Sequence, residues 1–192
     1  MQQTLPFVGH GAFFSQETNR SPAIDPQVFV KDVSAAEGTG PQNIAHAAGL
    51  RPARLDDSPE LVLYNANGDS LGFTLDRWLA ASGTLSIDAQ PGGPTRLSMS
   101  FRKLIPFGVY SIFRATFSPD GTTFVPIDGD GTTNTFTSAV DGSANFSVTM
   151  LAGRLSHANA IVLILHSDSQ EHGVTRGLIG LNAHHQLIVR IP

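Results

Sequence analysis

The sequence predicts an all-β protein, a single antiparallel β-sandwich of Greek-key or immunoglobulin-like style with one short helix and an irregular N-terminal arm. Three observations predict it. The 192 residues include 19 Gly and 12 Pro but only 15% charged residues, a turn-rich composition unlike that of a Glu/Lys-rich helical chain. Apolar and polar residues alternate over several short runs, the period of a strand with one buried face. These runs number about eight to ten and recur at the spacing of about 8–12 residues seen in sandwiches and barrels. No fixed internal period is visible, which disfavours a propeller or a solenoid. A chain of this length suits one hydrophobic core.

Residues 1–58 carry few periodic apolar positions apart from Val28-Phe29-Val30, and Ser34 to Glu60 mixes Gly, Pro and short polar residues as loops do. They read as an arm and long loop with one strand, packed on a sandwich domain formed by residues 59–192. Leu61-Val62-Leu63-Tyr64 and Leu71-Gly72-Phe73 flank Asn67-Gly68, a dipeptide suited to the positive φ of a tight hairpin turn. Thr74 then stands as N-cap of a short helix, Leu75 to Ala81, with Asp76 in its first turn and Gly83 as terminator. Its Trp78, on the same face as Leu75 and Leu79, reads as a core anchor. Thr84 to Asp88 follows as a strand.

After the turn at Pro91 to Pro94, Leu97, Met99 and Phe101 alternate with Arg96, Ser98, Ser100 and Arg102, giving a half-buried antiparallel strand. Gly108 to Phe117 is apolar on both faces, which places it centrally in a sheet. Asp141-Gly142 precedes a further alternating strand, Ala144 to Met150. The chain closes with the apolar run Ala160 to Leu165 and a last strand, Gln186 to Ile191.

Composition excludes several functions. The formal net charge is −4, Lys31 and Lys103 are the two lysines, and the arginines are scattered, so no basic tract follows a phosphate backbone and nucleic acid is not an expected partner. With zero cysteines there is no disulfide, no thiolate zinc site, no thiol nucleophile and no type 1 copper centre. The longest apolar run is far shorter than the roughly 18 residues of a membrane span. The opening residues lack a basic n-region and an apolar core, so no leader is expected in this chain. Low lysine and abundant Thr, Ser, Gly and Asn suggest an extracytoplasmic protein, secreted or periplasmic. No G-x-S-x-G elbow, P-loop or G-x-G-x-x-G occurs, and the consecutive His166-Ser167-Asp168 cannot align as a catalytic triad. Nothing here selects a catalytic residue or decides whether the protein is an enzyme.

The chemically informative segments are His166 to Gly173 and Asn182 to Gln186. Four of the seven histidines fall within these 20 positions, at the edges of two strands. If the strands are antiparallel neighbours, His166 lies beside His184 or His185, and His172 hangs from the connecting loop. Converging imidazoles are what copper or zinc requires, with Asp168 or Glu171 as a supporting ligand. Because adjacent residues of a strand face opposite ways, only one of His184 and His185 can be a ligand. His185 shares its face with Leu187, Val189 and Ile191, so His184 is the favoured ligand and His185 a buried histidine bonded to a backbone carbonyl. A bend at the strand start exchanges the two. His157, an extended strand of about 30 Å away from His166, is excluded from the site.

Alternatively, the same histidines tie down the long loop by hydrogen bonds. The protein is then a non-catalytic interaction module, binding a protein or glycan or forming a homo-oligomer through its N-terminal arm. The segment Ile127 to Thr135 has Asp128 and Asp130 at calcium-loop spacing but lacks the other acidic ligands, so calcium is not expected there. Aspartates bonding the backbone of a turn account for the same letters.

Overall fold

Each of the alternating runs forms a strand, because the pleat places their apolar side chains on one face, where they can leave water together. The computed structural model describes residues 2–89, 91–151, 155 and 159–192. In chain order it begins with β1 (Gln2–Pro6), β2 (Val8–Gly9), α1 (His10–Glu17), β3 (Ile24–Lys31), β4 (Gly38–Thr39), β5 (Ala45–His46), β6 (Leu50–Arg54), β7 (Val62–Tyr64) and β8 (Ser70–Thr74). It continues with α2 (Leu75–Leu79), β9 (Ser82–Ala89), β10 (Thr95–Arg102), β11 (Val109–Ser118), β12 (Gly121–Pro126), β13 (Thr135–Thr137), β14 (Ala144–Met150), β15 (Asn159–His166) and β16 (Ala183–Arg190). Among the described residues no helix is long and apolar enough to cross a membrane.

The chain is all-β with several antiparallel sheets. One sheet has the order β1-β9-β10-β14, and a second has the order β12-β11-β15-β16-β2 with β13 also paired to β11. A third, β6-β3-β7-β8, and a short β4-β5 ribbon go beyond the two sheets of the expected sandwich. The main core joins Leu85, Leu97 and Met99 of the first sheet to Tyr110, Ile112, Leu163 and Leu187 of the second. Val28, Val30 and Leu63 of the third sheet belong to the same cluster, as does Trp78.

The first 54 residues are more regular than their sequence suggests. β1 pairs with β9, β2 with β16, and β3 with β6, so this segment supplies strands to each of the three larger sheets besides forming the β4-β5 ribbon. Its alternation is weak because β1 and β2 are short edge strands, specified by main-chain pairing more than by buried side chains. Helix α1 also escapes a reading by periodicity, having no side-chain cap and glycine at its second residue. That glycine has a packing reason: a Cβ on Gly11 would lie 3.1 Å from Asp25 Cα, so its absence allows the helix to approach β3. The one helix expected from the sequence is present as α2, two residues shorter than Leu75 to Ala81, although Thr74 Oγ1 bonds the Asp76 carboxylate and does not cap the backbone.

One irregularity governs the histidines. β15 and β16 are antiparallel neighbours, as expected, but their register shifts between Leu163 and Ile164, which face Leu187 and His185 respectively. Gln186 is the extra residue of this β-bulge and resets which face each neighbour occupies. Both polar atoms of its buried side chain are bonded, Oε1 accepting from Tyr110 Oη at 3.0 Å and Nε2 donating to the Trp78 carbonyl at 2.9 Å.

Candidate metal centre

His166 ends β15, opposite Val109 on one side and Ala183 on the other. It lies on the face of the sheet that carries Ser111 and Phe113, away from the main core. Its Nε2 is 2.6 Å from Ser111 Oγ, and its Nδ1 is buried with no hydrogen-bond partner among the described residues. With Ser111 accepting from Nε2–H, the lone pair stays on Nδ1, as hydrogen-bonded ligand histidines commonly arrange.

The chain then turns sharply. Ser169 N donates to the His166 carbonyl at 3.1 Å with Ser169 at φ 58°, and Asp168 Oδ1 accepts from Gln170 N at 3.1 Å. This turn sends His172 back over His166, their ring centroids 4.7 Å apart. His172 Nε2 is 3.0 Å from Asp168 Oδ2, which also accepts from Asn182 Nδ2 at 2.9 Å. The loop is held from the far side by Asn134 Nδ2, which donates to the Gly173 carbonyl at 3.2 Å.

Three donor groups thus converge: one atom from each of His166, Asp168 and His172 lies within 4.8 Å of the others. This His/Asp group can hold a metal ion. Ligands about 2.1 Å from one ion are at most about 4.2 Å apart, so donor atoms this close need at most a small side-chain adjustment to share an ion. His166 is buried, His172 half-buried and Asp168 exposed, which leaves the group open to solvent on the loop side.

Burial, with the neighbouring His172 second, lowers the His166 pKa to about 4 against the opposing attraction of Asp168. The ring is neutral at pH 7, so an ion would not compete with a proton for its lone pair. Two nitrogens and a carboxylate oxygen are donors of the kinds that bind metal ions.

The remaining expected ligands lie elsewhere. His184 faces Leu165, the neighbour of His166, and strand alternation therefore turns the two rings to opposite faces of the sheet. Its Nδ1 donates to the Gln27 carbonyl at 2.9 Å and its Nε2 lies 3.2 Å from Ser167 Oγ. The backbone-bonded histidine is thus His184, where the sequence favoured His185 for that part. His185 does not share the face of Leu187, Val189 and Ile191, because the bulge at Gln186 places it beside Ile164, with Ile188, in the smaller apolar cluster. There its ring is edge-on to His10, with centroids 4.9 Å apart. Glu171 is exposed and outside the converging group. His157 lies outside the described residues.

In the loop after β12 the Asp128 carboxylate accepts from Gly131 N at 2.9 Å, Thr133 N and Thr133 Oγ1, while Asp130 accepts from Thr132 N and Oγ1. Both aspartates are turn formers. The sequence held no signal for Ser111, whose partnership with His166 depends on pairing across 55 residues. No protein-family model matches the chain, and no curated protein matches its sequence.

Proposed function

We propose that this protein binds a divalent transition metal, zinc or copper, through His166, Asp168 and His172, in an extracytoplasmic setting of the kind its composition suggests. The supporting observation is the convergence of three donor atoms within 4.8 Å on a neutral, buried imidazole. Asn182, donating to Asp168, orients the carboxylate as outer partners of metal ligands do. The competing reading, an interaction module with structural histidines, draws on the same contacts, since Asp168 bridges His172 and Asn182 without any ion.

Titration of chelator-treated, untagged protein with Zn(II) and Cu(II) separates the two. Binding of one ion per chain is expected, with a rise in stability of about 2.7 kcal/mol at 100 times Kd. His172→Ala and Asp168→Asn should each weaken it at least tenfold, while His46→Ala, which is outside the group, leaves it unchanged. No binding of either ion, or equal binding by all three variants, refutes the metal reading and favours the interaction module.

A further inference from the structure

The outer face of the sheet containing β11, β15 and β16 carries a second feature that the metal centre does not use. Helix α1 stands off this face and leaves a cavity of about 680 Å³, within the range of small-molecule sites. Its floor is Ala115, Val162 and Ile188, and its aromatic walls are Phe13, Phe117 and Phe124.

Polar groups at its inner end are held in place. Gln27 Oε1 accepts from His185 N at 2.6 Å and Gln27 Nε2 donates to Gln42 Oε1 at 2.7 Å. His10 and His185 meet edge to face, and the His10 Nδ1 is buried with no hydrogen-bond partner among the described residues. Burial lowers the pKa of both rings, His10 to about 4, so neither brings charge to the cavity at pH 7.

The charge comes from Arg176. Its guanidinium lies 3.5 Å over the Phe124 ring, with Nη1 donating to His185 Nε2 at 3.3 Å. No carboxylate of the described residues is within ion-pair distance of it, whereas the other arginine of the cavity, Arg190, is paired with Glu17 at 3.0 Å. A guanidinium cannot lose its proton to escape partial burial, so the cavity holds one fixed, unneutralised positive charge beside apolar walls. Glu17 at the rim opposes ligands of high negative charge.

We propose that this cavity is a binding site for a small organic monocarboxylate with an aromatic or aliphatic body, its carboxylate on Arg176 and its body among Phe13, Phe117 and Phe124. Arginine offers a fork of N–H donors matched to a carboxylate, and the phenyl rings cover the apolar part. The proposal is independent of the metal reading.

The test uses 8-anilinonaphthalene-1-sulfonate as a fluorescent probe, in EDTA so that no ion at His166 contributes. One probe molecule per chain is expected, displaced by 1-naphthoate at least tenfold more effectively than by the neutral 1-naphthalenemethanol. Arg176→Met should abolish that preference. Thr122→Trp, at an exposed position of edge strand β12 lining the cavity, should block probe and competitor alike while the far-ultraviolet circular dichroism stays unchanged. Absence of probe binding, equal displacement by acid and alcohol, or a preference surviving Arg176→Met in the folded variant overturns the proposal.

Discussion

Acidification from pH 7 to pH 5 should destabilise the metal-free protein through histidines that burial keeps neutral. His10 and His184 are held at about 4, against an ordinary value of 6.5, mainly by desolvation. The unfolded chain therefore takes up protons first, and the stability present above pH 6.5 is lost as the pH falls towards 4. Between pH 7 and pH 5 each ring contributes a loss of about 2 kcal/mol. The buried Asp25 acts the other way: its pKa is raised from 3.8 to about 6 by desolvation, so its cost at neutral pH is relieved on acidification by about 1 kcal/mol. These three groups together give a loss of about 3 kcal/mol, a large share of the roughly 5–15 kcal/mol typical of a folded domain. His166 and His185 shift in the same direction and add to it.

Urea denaturation in EDTA, followed by the fluorescence of the single tryptophan, buried Trp78, measures this directly. With a slope of about 2 kcal/mol per molar, the midpoint should fall by at least about 1.5 M between pH 7 and pH 5. His184→Gln, which can still donate to the Gln27 carbonyl, should remove about 2 kcal/mol of the pH-dependent change. A midpoint that is flat or rises on acidification refutes the assignment of neutral buried rings, and an unchanged pH slope in His184→Gln refutes the part given to that residue.

Two further perturbations probe the packing around these groups. Trp78→Phe removes the indole N–H that donates to Asp25 Oδ2 at 2.9 Å and should cost about 3 kcal/mol at pH 7 by circular dichroism, with a smaller cost near pH 5 where Asp25 is protonated; an equal cost at both pH values would show that lost packing dominates. Gly83→Ala places a Cβ 2.6 Å from Phe101 Cδ1, in a ring that Phe7 and Phe136 also pack against, and should lower stability by about 1–3 kcal/mol; a neutral melting temperature would show that Phe101 can move aside.

Much of the β architecture was legible locally. The alternation of Leu97, Met99 and Phe101 corresponds to a strand that buries those residues, and the two apolar faces of Val109 to Ser118 correspond to a strand paired on both sides. The Asn-Gly turn is present, with Gly68 at φ 92° and Asn65 Oδ1 accepting from Asn67 N and Asp69 N. The pairing of the last two strands, and the loop that brings His172 to His166, also followed from adjacency in the chain. Helix α1 and the edge strands β1 and β2 were hidden because partners distant in sequence specify them, with little periodicity of their own; the third sheet was legible only in pieces, as the hairpin β7–β8 and the strand around Val28 to Val30, and their union with β6 was not.

Local features were therefore readable from the order of residues alone: all-β character, turn positions, the absence of thiol chemistry and a histidine-rich pair of strand ends, since these follow from side-chain period and composition. Which histidines meet was decided only in three dimensions. A bulge at Gln186 changed the face of His185, strand alternation turned His184 away from His166, and the covering helix joined His185 to His10 across the chain. A one-residue change of register reverses every facing on a strand, and that register is chosen by the packing of the whole core.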